Sequence, residues 1–205
     1  RDDAPISVST WQAIDSAVAD AARGQLSARR LLEIDGPYGL GLKSLPLGDA
    51  ELPGKAAEEA GLLASPARPV PLIRSEFVLP LRDLATAEQG GLPLDLSPAA
   101  RAAIAVARHE DALLFNGCEA LGLEGLCTAH GSQSMKLASW NAIGAAADDL
   151  IKAVTLLDAA GFHGPCALAL APRLYNLLLR RYPQGNQTEL DHARTIVGDT
   201  IAKAP

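Results

Sequence analysis

The chain has 205 residues, 48% of them hydrophobic, and a formal net charge of −6. That length supplies one sizeable core or two small ones, and the acidic balance argues against nucleic acid, whose phosphates want clustered Lys and Arg. The 18 basic residues are dispersed, and no apolar run approaches the ~20 residues of a membrane span. No signal-peptide layout is present, and the first residue is Arg1 rather than Met, so native residues are expected to precede it. Aromatic residues make up 4%, which leaves the core to Leu, Ala, Ile and Val. Cys118, Cys127 and Cys166 form no CxxC and leave one thiol over in any pairing, so a reducing compartment and buried thiols are expected.

Residues 7–30 read as one amphipathic helix. Trp11, Ile14, Val18, Ala22 and Leu26 recur every three or four positions and share a face. Ser7 or Ser9 is placed to cap it, and the preceding RDDAP reads as an extended arm. Residues 31–36 alternate like a strand, Leu32 and Ile34 against Glu33 and Asp35, and break at Gly36-Pro37. From Gly36 to Pro71 the chain is rich in Gly and Pro with weak periodicity. A structureless loop of that length is out of place in a compact domain, so a two-stranded arm with a partner outside its own domain is expected.

Phe77, Leu79 and Leu81 predict a strand over 72–82, with Pro80 marking an edge or a bulge. Ser97 as N-cap and Pro98 at the first helical position open a helix of roughly 20 residues, about 30 Å long, that runs through Ile104, Asp111 and Cys118. A further helix is expected over 141–160, with Ile143, Ala147, Leu150, Ile151, Val154 and Leu157 on its buried stripe and Gly161 as its left-handed stop. CALALA (166–171) reads as an apolar strand, and Pro172 opens a helix ending at Tyr182-Pro183. The polar QGNQ leads to a helix capped by Thr188, then Gly198 and a last strand in TIAKAP.

Chemistry is sparse. His109-Glu110-Asp111 is the densest ionisable cluster, but consecutive helical residues diverge by about 100° and cannot converge on one metal; a solvated face or an inter-subunit salt bridge is expected. His130 with Ser132 and Ser134 lacks a glycine-framed nucleophile elbow, and His163 and His192 bear no spacing relation to the others. GPYGLG is not a GxGxxG phosphate cradle. The residues themselves point to no catalytic group, no metal and no cofactor.

Five segments, RDDAPISVSTWQAID, ARRLLEIDGPYG, PLGDAEL, EDALLFNGCEALGLEGL and AAGFHGPCALAL, resemble the encapsulins in order and near-spacing across essentially the whole chain. These are bacterial and archaeal nanocompartment shell proteins, also labelled linocin-type bacteriocins. The resemblance implies an α+β, tailed-phage major capsid protein fold of the Hong Kong 97-like kind. It divides the chain into an N-terminal arm and helix (1–35), an extended loop (36–76), a peripheral domain with a spine helix (77–122) and an axial domain (123–205). It also implies further strands beyond TIAKAP, as family members carry.

The implied function is that of a non-enzymatic protomer, assembling with copies of itself into an icosahedral cytoplasmic shell. Cargo would be a ferritin-like iron-storage protein or a dye-decolorising peroxidase, docked through a short C-terminal peptide, with neither nucleic acid nor membrane as partner. Matched position by position, Arg29, Glu33 and Ile34 fall where family members contact that peptide. Glu33 replaces an Asp there, and Ala22 stands where some members carry an aromatic residue. Arg82 stands where some relatives stack a flavin on Trp, so no flavin is expected. Tyr182, Pro183, Gln184 and Gly185 match the segment near the fivefold pore. A phage or prophage major capsid protein is the alternative, disfavoured by the Trp-bearing N-terminal helix. A peptidase or bacteriocin stands behind both, since no nucleophile–base pair is present.

Overall fold

The computed structural model describes residue 4 and residues 6–51 and 63–204. Most of the expected RDDAP arm and the tip of the extended loop lie outside the described residues. The chain divides into two compact units: Arg1–Gln25 with Asp35–Thr128, and Leu26–Ile34 with Ala129–Pro205.

In the first unit, helix α1 runs over Val8–Arg23. Ser7 caps it as expected, its hydroxyl accepting the Thr10 N–H. The helix ends seven residues before the predicted point, because Gly24 takes the C-cap and donates its N–H to the carbonyls of Asp20 and Ala22. Leu26 therefore leaves the apolar face assigned to it. Helix α3, Ser97–Asn116, is the 20-residue spine, and Ser97 is its first residue rather than its cap. Its buried residues Ala99, Ala103, Ala107 and Asp111 recur every fourth position and form one stripe. α1 packs against α3, the small alanines permitting close approach. At that junction Arg108 Nε donates to Gln25 Oε1 at 3.1 Å.

The loop after residue 36 is a two-stranded arm, as expected. Strand β1 (Ser44–Pro46) pairs antiparallel with β4 (Ala67–Pro69), and β2 (Ala50–Glu51) with β3 (Leu63–Ala64). The register slips by one residue between the ladders, with residues 47–49 facing residues 65–66. Gly48 lies in this longer side at φ +86, a left-handed conformation that glycine adopts without a Cβ penalty. Ser65 pins the site by donating to Asp49 Oδ1 at 2.6 Å.

Two strand expectations fail: among the described residues, 31–36 and 71–80 are in no strand, and the β1–β4 ladder ends where the Val70 N–H donates to the Lys43 carbonyl. Pro80 instead caps a helix that the sequence reading missed, α2 (Leu81–Gly90), its carbonyl accepting the N–H groups of Asp83 and Leu84. A fixed φ and a free carbonyl suit proline to that cap as well as to a strand edge. After α3, Gly117 and Gly125 bring two backbone segments into direct contact. A Cβ on Gly125 would meet the Gly117 nitrogen and the Phe115 carbonyl.

The second unit has a core of Trp140, Leu150, Leu170, Leu178, Leu190 and Val197. Helix α4 spans Ala145–Ala159. Its buried face is Ala146, Ala147, Asp149 and Leu150, whereas Ile151 is 50% exposed and Ile143 precedes the helix. Of the predicted stripe, Ala147 and Leu150 are buried and Val154 and Leu157 half-buried, while Ile143 and Ile151 fall outside it. Strand β5 (Leu168–Leu170) pairs parallel with β6 (Ile201–Lys203), joined through α5 (Pro172–Leu177) and α6 (Glu189–Val197). α5 is shorter than predicted: its C-cap is Leu178, and turns carry the chain on to Arg180.

Candidate functional site

The segment 29–34 belongs to the second unit. A 3-10 turn over Ala28–Arg30 anchors it, with Ser27 and Ala28 buried and the Ala28 carbonyl accepting the N–H groups of Leu31 and Leu32. Arg29 lies exposed in the turn itself, and Glu33 and Ile34 lie exposed on the short stretch that follows, Ile34 at 60%. Ile34 offers an apolar contact between two acidic neighbours in the chain, Glu33 and Asp35. Ala22 is on α1 and Arg82 on α2, both in the first unit. Just beyond the segment, Tyr38 donates its hydroxyl to Asp35, and that bond raises the phenol's pKa.

The loop between α5 and α6 is braced on three sides. Tyr182 N–H donates to the Gln187 carbonyl at 3.0 Å, and Arg181 bridges Thr188. Tyr182 Oη lies 2.8 Å from His192 Nδ1, the rings 5.8 Å apart. Burial, then the charges of Glu189 and Asp148, push the Tyr182 hydroxyl above its ordinary pKa. Thr188 and Asp191 form a reciprocal capping box, and the Thr188 hydroxyl and N–H hold the Asp191 carboxyl below its usual pKa. Pro183, Gln184 and Gly185 form the exposed tip, and Tyr182 is half-buried behind them. Such a tip offers amide and carbonyl groups and no nucleophile.

Buried carboxylates are what the sequence reading missed. Glu189, 2% exposed, accepts from Arg180 Nε at 2.9 Å with one oxygen and from Gly144 N–H at 3.1 Å with the other. Arg180 Nη1 also donates to the Asn141 carbonyl. Asp149, 1% exposed, accepts from Trp140 Nε1 at 3.0 Å, Ala138 N–H at 2.7 Å and Lys152 at 3.1 Å. Those bonds, the indole first, lower its pKa. Asp111 is also buried, so of the two expectations for the HEDAL triplet the solvated face holds only in part: His109 is exposed, Glu110 half-buried and Asp111 enclosed. The thiols differ too, for Cys127 is exposed while Cys118 and Cys166 are half-buried, and all three are free. Among the described residues no three His, Cys, Asp or Glu side chains are placed to hold a metal, and no helix is long and apolar enough to cross a membrane.

A spine helix, an extended two-stranded arm and a separate α/β unit define a capsid-type shell fold. The crystal structure of a virus-like particle from Pyrococcus furiosus shares it, with a TM-score of 0.68 over 93% of this chain and 72% of that one, at 22% identity. A family described as encapsulating protein for peroxidase matches residues 1–205, and the chain belongs to this encapsulin family. The type 1 encapsulin shell protein EncA of Myxococcus xanthus is 34% identical over 206 residues, covering 96% of this chain and 72% of the relative. A diheme-cytochrome-encapsulin shell fusion protein of Kuenenia stuttgartiensis is 36% identical over 93% of this chain. The chain spans 55% of the length of that fusion protein.

Proposed function

We propose that the chain is a shell protomer whose copies close into an icosahedral cytoplasmic nanocompartment around a cargo enzyme, without catalysis of its own. The observation that carries this reading is the family match over residues 1–205. The arm supports it physically: Leu45, Leu47 and Leu63 remain 46–59% exposed on a thin two-stranded ribbon. Apolar side chains on both strands of a ribbon gain little until another surface covers them. In this reading residues 1–35 are the N-terminal arm and helix, 36–76 the loop that grips a neighbour, 77–122 the peripheral domain and 123–205 the axial domain. Symmetry then multiplies modest contacts into a closed particle.

Cargo, a peroxidase or a ferritin-like protein, docks by a short C-terminal peptide on Arg29, Glu33 and Ile34. Tyr182, Pro183, Gln184 and Gly185 line the axial pore, and the braced loop keeps its rim fixed. Electron microscopy of the purified protein tests the assembly: closed particles are expected, and monomers or small oligomers at every concentration would overturn it. Arg29→Ala and Ile34→Asp are expected to lower co-purifying cargo with particles intact. Loss of the particles themselves would instead make the two residues structural.

A further inference from the structure

The spine helix ends on an Asn-Gly step. Of the four asparagines in the sequence, Asn116 alone precedes a glycine, and a residue without a Cβ leaves its amide nitrogen open to the neighbouring carboxamide. In such a step the backbone nitrogen can attack the asparagine Cγ, forming a C–N bond and expelling ammonia. Water then opens the resulting succinimide at either carbonyl. The product is aspartate or, with the chain rerouted through Cβ, isoaspartate, and water is the only co-reactant.

The packing demands this glycine. Gly117 sits at φ +71, and a Cβ there would collide with the Leu123 carbonyl oxygen. The same packing withholds the nucleophile. Asn116 is the last residue of α3, whose helical ψ turns the next nitrogen along the axis, and the Gly117 N–H donates to the Leu113 carbonyl at 2.8 Å. Buried Gly125 lies against that nitrogen and against the Asn116 carbonyl carbon. The loop that carries Gly125 is folded back on the helix end. The N–H groups of Leu126 and Cys127 donate to the Leu114 and Phe115 carbonyls at 2.8 Å, and Cys118 and Leu123 exchange backbone bonds of 2.7 and 3.0 Å. Thr128 Oγ1 accepts the Gly125 N–H at 2.9 Å and donates to the Asn116 carbonyl at 3.3 Å. Every one of these contacts runs within residues 113–128 of the first unit, so they hold whatever covers the outer surface.

We infer that Asn116 is a latent self-modification site: the closed loop preserves its amide, and a chain whose residues 117–128 have opened converts it to isoaspartate. The product cannot rebuild the loop. Isoaspartate adds a carbon to the backbone where Gly117 and Gly125 already touch. It also sets a carboxylate at a helix C-terminus, where the dipole opposes negative charge. A chain left open long enough therefore loses its native loop, while a folded chain is spared. The inference rests on these contacts and not on the shell reading.

The test incubates the full chain in mildly alkaline buffer, folded and in urea. Peptide mass spectrometry reads the amide-to-acid mass gain at Asn116, and labelling by isoaspartyl methyltransferase identifies the isomer. Conversion is expected in urea and at least about a hundredfold more slowly in the folded chain, because the reaction follows the open fraction of the loop. Thr128→Val removes the hydroxyl from the closure and should speed conversion in the folded chain by about fivefold, the worth of one hydrogen bond. Gly125→Ala should speed it further; Thr128 is exposed, so its variant covers the case of a Gly125 variant that does not fold. Asn116→Gln, which would need a larger ring, should stay unmodified. After removal of urea, a Glu-specific protease should cut the isoaspartate chain at Glu119 or Glu124 and spare the parent. Equal rates folded and unfolded would overturn the inference, as would a Thr128→Val rate equal to wild type or equal protease resistance of the modified and parent chains.

Discussion

Replacing Glu189 with alanine removes a buried carboxylate that ties segments of the second unit together. Its oxygens hold Arg180, at the foot of the braced loop, and the N–H of Gly144, the N-cap of α4. Arg180 in turn reaches the Leu177 and Asn141 carbonyls. Its Nη2 lies 2.7 Å from Glu189 Oε1 but lacks hydrogen-bond geometry, so Nε carries the bond and Nη2 adds only attraction between charges. Removing one partner of a buried ion pair costs about 3–5 kcal/mol, because the other charge is stranded. The Arg180 side chain keeps 26% exposure, so water recovers part of its solvation and the lower end, about 3 kcal/mol, applies. For a chain of this length that loss lowers the Tm by about 10 °C. Glu189→Gln keeps the shape and one acceptor, so about half that loss is expected. Arg180→Met should cost about as much as Glu189→Ala, and the double variant Arg180→Met with Glu189→Ala less than the two singles added. Thermal and urea unfolding of the four variants gives the cycle. A loss below about 1 kcal/mol for Glu189→Ala, or strict additivity, would refute the reasoning.

Gly125→Ala should destabilise the first unit by about 2 kcal/mol, since its Cβ meets backbone that cannot yield as a side chain would. Gly41→Ala, with nothing within 4 Å, is the matched control in the same unfolding assay. Thr188→Ala removes half of the capping box and should cost about 1 kcal/mol. Leu47→Asp, on the exposed arm, should leave the circular dichroism spectrum unchanged and abolish particles; particles of normal size would remove the arm from assembly. Glu88 accepts the Ser7 N–H and the Thr10 hydroxyl, and its pKa is lowered, the Ser7 N–H being the largest cause. The pKa values of Asp95, Asp149 and Asp191 are likewise lowered. Depressed carboxyl pKa values favour the folded state above the unfolded value, near pH 4, and that contribution fades as pH falls through the folded value. The Tm should therefore be level from about pH 7 to 5 and drop below about pH 4, and Asp149→Asn should have a shallower drop. A flat profile down to pH 3 would contradict these carboxylate bonds.

Legibility tracked how local each signal was. α3 and α6 were readable because Ser97-Pro98, Gly117, Thr188 and Gly198 state their ends within a few residues. The arm was readable from what it lacked, a periodicity able to bury it. By contrast, Phe77, Leu79 and Leu81 alternate without forming a strand, since alternation permits a ladder but cannot supply its partner. α2 stayed hidden behind Pro80, a residue as much at home at a helix start as at a strand edge. The burial of Asp149 and Glu189 was not legible because nothing in one sequence brings Trp140 to the first or Arg180 to the second. Arg29, Glu33 and Ile34 came only from resemblance; their shared exposure is visible once Ser27 and Ala28 anchor the turn.

The two buried carboxylates of the second unit share a structural role. A catalytic carboxylate needs an unfilled valence facing a cavity, so that a substrate or a proton can reach it. The oxygens of Asp149 and Glu189 are instead held within the fold, by Trp140, Ala138 and Lys152 in one case and by Arg180 and Gly144 in the other. What they hold is irregular backbone, residues 138–144 and the turn at Arg180, which no sheet or helix would otherwise fix. In a protomer whose edges meet copies of themselves, a small angular error in one loop recurs at every symmetry-related contact. Buried polar bonds restrict such loops to one conformation more sharply than apolar packing does. On this view the carboxylates serve precision of shape, and substituting them should broaden the particle size distribution before it unfolds the chain. Glu189→Gln is the variant that separates the two, because it weakens the brace while keeping its volume. Particles of uniform diameter from that variant, with a lowered Tm, would leave the carboxylate a role in stability and none in assembly.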